Sequence, residues 1–474
     1  MGVLLLMPQL AEERVLRIQT RLHRWAGEDD DRQFDDLYNL VADPAFLVVA
    51  WHRVRGNKGS RTAGVDGQSA RGIEAEQDVA AFLMDVREQV RSRTFRPLPV
   101  RERMIPKANG KLRRLGIPMV ADRVVQAALK LVLEPIYEAD FRPCSYGFRP
   151  NRSAHDAIAE IHHFGSHGYQ WVLEADIEAC FDRISHTALM DRMRRRIADK
   201  RVLALVKAFL KAGILTELGD REGTTAGTPQ GGILSPLLAN IALSVLDDYF
   251  AEHWQQTMAN KTQRAQRRRK GLANWRLIRY ADDWVAMVAG TRADAEALRE
   301  RAAEVLAGMG LRLSPAKTMV VHLDDGLDFL GFRIQRRRKR GTTRHYVYTY
   351  PAKKAVNTVV GKVWALTNRA SYRQLKVLLI NVNAVLRGWC NYFRHGVSKR
   401  VFSYLAHYTW HRIAHWIRKR HNRLSWKRLQ RRVFTDRWQI TANGIELFNP
   451  GKVPITRYRC RGSKIPTPWA INTG

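Results

Sequence analysis

The stretch RLIRYADDWVAMVAG, from Arg276 to Gly290, places two adjacent aspartates, Asp282 and Asp283, between two apolar runs. Each run reads as a strand, and the acids fall where the chain would turn, so the stretch is expected to be a hairpin. Adjacent carboxylates repel. Asp is common in hairpin turns, where solvent absorbs its charge, and the dipeptide alone favours that ordinary explanation. The chemical alternative is that the pair holds divalent metal. Only the rest of the chain can choose between them.

A second acid stands at a strand end. WVLEADIEACFDRIS (171–185) starts as a buried strand and ends at Asp176. Strands and helices alternate around it. RPLPVRERMIPKANGKLRRLGIP is expected to form a hairpin turning at Ala108-Asn109-Gly110. Helices are expected over 74–93, from about Asp122 to Tyr137, over 187–213, within 227–250 and over 291–314. Residues 251–275 read as a surface loop or helical arm, KTMVVHL and DFLGFRIQRRRKR as strands, and the chain past Pro351 as largely helical to about 433. RWQITANGIELF closes with a short hairpin. This is an α+β body with a helical appendage.

Charge separates the two parts. The chain has 474 residues and a net charge of +35. From Gly331 to Gly474 there are 32 Lys and Arg and only two acids, Asp436 and Glu446. Self-repulsion over so long a segment calls for a polyanionic partner. With 45% hydrophobic residues, the chain is globular rather than disordered. No membrane segment is visible, since MGVLLLM is too short to span and lacks the flanks of a signal peptide. Cys144, Cys180, Cys390 and Cys460 form no CxxC pair, which argues against a zinc ribbon or disulfide framework, and a reducing cytoplasm at the nucleoid is the expected setting.

Asp176, Asp282 and Asp283 at two strand ends would suit hard cations such as Mg²⁺. YADD after an apolar strand resembles the palm motif of reverse transcriptases. The surrounding blocks are similar, in order, to those of bacterial group II intron-encoded reverse transcriptases and maturases: AGVDG, IPKANGKLRRLGIPMVADRVVQ, YGFRPNRSAHDAI, ADIEACFDRISH, GTPQGGILSPLLANIAL, DFLGFRI and VNAVLRGWCNYFR. The resemblance covers roughly residues 40–430. It implies a right-hand-like polymerase: a helical extension over 1–67, fingers over 68–170, a palm over 171–345, a basic helical thumb or maturase (X) domain over 346–433, and a basic tail over 434–474 as a candidate DNA-binding segment.

Roles carry over residue by residue. Asp176 and Asp282 would bind two Mg²⁺ ions, with Mn²⁺ able to substitute, and Asp283 would complete the cluster. Ile177 would offer backbone to the metal and the dNTP. Phe181 would gate against a ribose 2′-hydroxyl, and Lys107 and Arg113 would clamp the triphosphate. Pro229 and Gln230 would border the template base and the nucleotide. Tyr280, Lys317, Leu330 and Gly331 would lie along the template and primer. Taken singly, Phe181 is ordinary core and Lys107 an ordinary solvated turn residue; their place in matching blocks gives them roles. Asp182 is expected to make a structural hydrogen bond, and Asp247 and Asp248 to be structural.

In the appendage, Phe402, Leu405, Tyr408, Ile413 and Trp416 suggest an apolar helical face, and Arg387, Arg394, Arg412, Arg418, Lys419 and Arg420 are the candidate RNA-binding residues. The implied partners are intron RNA, an RNA template with a DNA primer, dNTPs and target DNA, with no membrane. The paired cysteines of a C-terminal endonuclease domain are missing, so an endonuclease-lacking member is expected. Two other readings stand beside this one: a non-catalytic RNA-binding splicing factor, and a domesticated reverse transcriptase used in defence or repair.

Overall fold

The computed structural model describes residues 1–106, 110, 112–368, 374–420, 427 and 439–470. The strands in chain order are β1 Val100–Pro106, β2 Leu112–Ile117, β3 Trp171–Asp176, β4 Ile214–Leu215, β5 Arg221–Glu222, β6 Asn274–Tyr280 and β7 Asp283–Ala289. They continue with β8 Met319–His322, β9 Leu327–Phe329, β10 Phe332–Arg338, β11 His345–Pro351, β12 Thr441–Ala442 and β13 Ile445–Glu446.

The central sheet has the order β6-β7-β3-β8, with every neighbouring pair antiparallel. The uniform apolar run of β7 has a simple cause, because both faces of this strand are buried. Trp284, Ala286 and Val288 enter one core, with Leu173 and Ala175 of β3, under the long helices Val120–Asp140 and Ser235–Thr257. Val285 and Met287 point the other way, into a second core with Val172, Ile161, Phe332 and Phe393. A strand covered on both faces loses the polar alternation of a half-exposed one.

A second sheet, β2-β1-β4-β5, carries the expected 100–117 hairpin, with Pro106 opposite Leu112. Most of its turn lies outside the described residues. The order of this sheet brings 214–222 against β1, although that segment is far along the chain. A third sheet, β11-β10-β9, runs to Pro351.

Three expected helices end differently. The 74–93 segment is two helices, Ala70–Glu76 and Val79–Arg91, because the Asp78 side chain caps the second by accepting from Ala80 N. The 187–213 segment divides likewise into His186–Arg194 and Lys200–Lys211, with Asp199 as the cap. The long apolar helix starts only at Ser235 and runs to Thr257, and the basic arm is a separate helix, Lys261–Arg269.

Helices Lys353–Asn368, Leu375–Phe393 and Lys399–Arg420 make a third core around Val363, Leu379, Leu386 and Ile413. Phe402, Leu405 and Ile413 are buried as the spacing implies, while Tyr408 and Trp416 are half-buried. Residues 453–470 run across the molecule as an extended strap. Arg461 ion-pairs with buried Asp156 at the start of helix Ala154–Ser166. Trp469, itself buried, donates its indole N–H to Gln19 Oε1 (3.2 Å) on helix Pro8–Glu28, and Thr467 meets His23 (3.1 Å). Nothing in the tail's sequence pattern announced this strap.

Cys144, Cys180 and Cys390 are buried and Cys460 is exposed; all four are free thiols. Among the described residues no helix is long and apolar enough to cross a membrane.

Candidate active site

The two strand ends meet. Asp176 lies directly opposite Asp283 in the β3–β7 register, and Asp282 stands in the turn before it. Ala281 occupies that turn at φ 58°, a left-handed conformation that costs an alanine about 1 kcal/mol or more. It is held from two sides. A Cβ on Gly147 would collide with the Ala281 backbone N, so only glycine allows the approach. Arg279, fully buried, donates from Nη1 to the Ala281 carbonyl (2.9 Å). The same guanidinium grips Asp247 through Nε (2.7 Å), Asn240 through Nη1 (3.0 Å) and Ser145 through Nη2 (2.7 Å). A buried charge this fully hydrogen-bonded braces the turn. Asp247 is thus structural, as its lack of a matching block implied, and Asp248 pairs with Arg142 and Arg192. Sequence reasoning passed over Arg279; its place three residues before the acid pair was the available signal.

The electrostatics of the acid cluster favour a cation. Burial raises the Asp282 carboxyl, with Asp176 adding repulsion against the opposing charges of Arg113 and Lys317. Asp283 is pushed up to about 6 by burial and by repulsion from Asp282 and Asp176. Lys317 places its ammonium 2.6 Å from Asp176 Oδ2, and that hydrogen bond raises its own pKa. The donor set, three carboxylates already answered by one cation, fits a hard divalent cation. Among the described residues no ligand cluster is drawn together into a preformed metal cage.

The surroundings in which the nucleotide is expected are built by the loop before helix Ser235–Thr257. Thr228 N donates to the Phe181 carbonyl (2.6 Å), and Gly116 N to the Gln230 carbonyl (2.7 Å), so this loop joins β2 to the segment after β3. Gly227 sits at φ 82° with its α-carbon against the Asp182 backbone, where a side chain would not fit. Pro229 and Gln230 are half-buried here, and Gln230 Nε2 reaches Asp182 Oδ2 at 3.4 Å, the structural contact expected of Asp182. Phe181 is half-buried against the first core, and Ile177 is buried, bridging to Leu313. Arg113, exposed on β2, is near enough to act on Asp282. Lys107 lies outside the described residues.

The hairpin after the acids has an unusual turn. Phe329 pairs with Phe332, and the two residues between, Leu330 (φ 46°) and Gly331 (φ 81°), both have positive φ. That is the two-residue geometry matching strand twist, but Leu is a strained occupant. Tyr392 of helix Leu375–Phe393 donates its hydroxyl to the Leu330 carbonyl (2.8 Å), and Phe393 packs on Gly331. Tyr280 is half-buried in the same core. The RGWCNYFR block therefore supports this turn directly, a link that the sequence did not suggest.

The six basic residues singled out in the appendage do not form one surface. Arg412, Lys419 and Arg420 line a cavity of about 480 Å³ with His415 and Trp416. Arg418, on the same last helical turns, is half-buried. Arg387 stacks on Phe448 (5.4 Å) and Arg394 bonds to Thr456 Oγ1 (2.9 Å), so both engage neighbouring protein groups.

Residues 105–334 match the family described as reverse transcriptase (RNA-dependent DNA polymerase), and residues 356–434 the group II intron maturase-specific domain. Protein YkfC of Escherichia coli K12 is 39% identical over 361 residues, covering 72% of this chain and 94% of that protein. The group II intron-encoded protein LtrA of Lactococcus lactis is 29% identical over 461 residues, covering 83% and 76%. The chain belongs to the group II intron-encoded reverse transcriptases, with polymerase and maturase domains in one polypeptide.

Proposed function

We propose that DNA synthesis on an RNA template takes place at Asp176, Asp282 and Asp283, with two Mg²⁺ ions held among them. The observation that carries this reading is the register of Asp176 opposite Asp283 beside a braced, strained turn holding Asp282. When bound, the ions would activate the primer 3′-hydroxyl and stabilise the departing pyrophosphate. Lys317, now on Asp176, would give way or shift as they bind.

Around that centre, Arg113 with Lys107 would clamp the dNTP triphosphate, Ile177 would contribute its backbone, and Phe181 would police the sugar. Pro229 and Gln230 would border the template base. Tyr280 and the Leu330-Gly331 turn would hold the primer end, seated by Tyr392. The proposed units are fingers over 68–170, palm over 171–345 and thumb or maturase over 346–433. The partners proposed are the chain's own intron RNA, bound to assist splicing, and a target DNA for intron mobility.

Primer extension on an RNA template with Mg²⁺ tests the site. Asp282→Ala should abolish cDNA synthesis and leave RNA affinity unchanged, and Arg113→Ala should raise KM for dNTPs more than it lowers kcat. Synthesis surviving in the Asp282 variant would refute the metal assignment.

A further inference from the structure

A basic cavity lies far from the carboxylates. It holds about 790 Å³ and is lined by His162, Gln170, Arg336, Lys339, Tyr346 and Arg457 among others. Gln170 immediately precedes β3, and Asp176 ends it, so the two lie about 20 Å apart at ~3.3 Å per residue. The Leu330-Gly331 turn is comparably remote, since β10 leads away from it toward Arg338. Neither a primer end at the carboxylates nor one at that turn reaches this cavity.

Its lining comes from three separate parts of the chain: the end of helix Ala154–Ser166 with the segment that follows it to β3, the β10–β11 hairpin, and the strap. Arg336 is held in place by Asp324 through Nε (2.6 Å) and Nη2 (2.8 Å). Lys339 and Arg457 are exposed and have no ion pair among the described residues. None of the described residues lining the cavity is acidic. Tyr346 is exposed at the rim, with the Lys339 ammonium 6.0 Å from its ring. Unanswered cations converging on a concavity, beside an exposed aromatic ring, suit a phosphate chain with an unstacked base. A duplex offers its phosphates as a convex ridge and its bases stacked, and uses such a recess poorly.

We propose that this cavity is a second nucleic-acid site, which takes the unpaired loop of a structured RNA while the carboxylate centre copies a template. The inference rests on the reading of the chain as a protein that binds a structured RNA. The cavity then anchors that RNA on the flank of the polymerase, with Lys339 and Arg457 on its phosphates and Tyr346 under a base.

The test uses the full-length protein with four labelled probes: an RNA stem–loop, a DNA stem–loop of the same sequence, a blunt RNA duplex, and a short RNA template–DNA primer. Lys339→Ala/Arg457→Ala should weaken stem–loop RNA binding at least tenfold. The slope of log Kd against log salt should become shallower by about 1.4, two contacts at ~0.7 each. Tyr346→Ala should weaken the stem–loop but not the blunt duplex, and all variants should extend the short primer at the wild-type rate. Unchanged stem–loop affinity and slope in the double variant would overturn the site while leaving the RNA-binding reading intact. Equal losses on the DNA stem–loop would overturn the assignment to RNA, and impaired extension of the short primer would place the cavity on the polymerase track instead. A wild-type protein that binds no stem–loop RNA would defeat both readings together.

Discussion

Removing the charge of Asp283 should stabilise the protein whenever divalent metal is absent. The carboxyl is pushed from an ordinary 3.8 to about 6 in the folded chain. Below about pH 4 it is protonated in both folded and unfolded chains and has no effect on stability. Between about 4 and 6 the unfolded chain gives up its proton first, so stability falls as pH rises, and above 6 the full penalty is present. Two pK units correspond to about 3 kcal/mol. Asp283 has a solvent-facing edge, and screening reduces that to about 1 kcal/mol. Asp283→Asn removes the charge while keeping the shape. In EDTA at pH 7 its thermal midpoint should therefore rise by about 1–2 °C over wild type. At pH 4 most of the difference should be gone. With Mg²⁺ the order should narrow or invert, because the wild-type carboxylate then faces a cation. The reasoning fails if the variant is no more stable than wild type in EDTA at pH 7, or if its advantage is the same at pH 4.

Other expectations test the scaffold. Arg279→Ala should destabilise by about 3–5 kcal/mol in urea titration, because it leaves Asp247 buried and unpaired, and Arg279→Ala/Asp247→Ala should recover part of the loss. Gly147→Ala would press on the Ala281 backbone, so primer extension should fall at least ~100-fold while the circular dichroism spectrum stays native. The strap gives a pH signature. Burial would raise Asp156, but hydrogen bonds from Arg461 and Ser153 outweigh it and hold the carboxyl below its ordinary range. That stabilisation is complete above about pH 4 and is lost as pH falls through the lowered value. Arg461→Ala should accordingly lower the thermal midpoint at pH 7 and narrow its difference from wild type as the pH drops toward 2.

The parts of this molecule that were legible in its sequence are those encoded locally. The β6–β7 hairpin, the β1–β2 hairpin and the strand ending at Asp176 each lie within one short stretch, where apolar runs and turn residues speak for themselves. Lys317, expected along the template and primer, lies on Asp176. The contacts missed all join distant segments. Arg279 reads as one more basic residue until Asp247, Asn240 and Ser145 close around it. Tyr392 reads as core until Leu330 is seen beneath its hydroxyl. The two helices read as unbroken over 74–93 and 187–213 were divided by Asp78 and Asp199, whose side chains cap backbone N–H groups that a continuous helix would satisfy itself. The tail had no periodicity to read, because its anchors, Arg461, Thr467 and Trp469, are single residues on an extended chain.

That tail has a consequence for the order in which the molecule is made. Gln19 and Trp469 are 450 positions apart and hydrogen-bond to each other. At ~5–20 residues per second, a ribosome places them roughly 20–90 s apart. Helix Pro8–Glu28 can settle early on helix Val120–Asp140, but its Gln19 and His23 side chains must wait for Trp469 and Thr467 to emerge. The fold is thus closed by a segment made long after the helix it fastens to, a clasp that closes only once the polymerase and maturase bodies already exist.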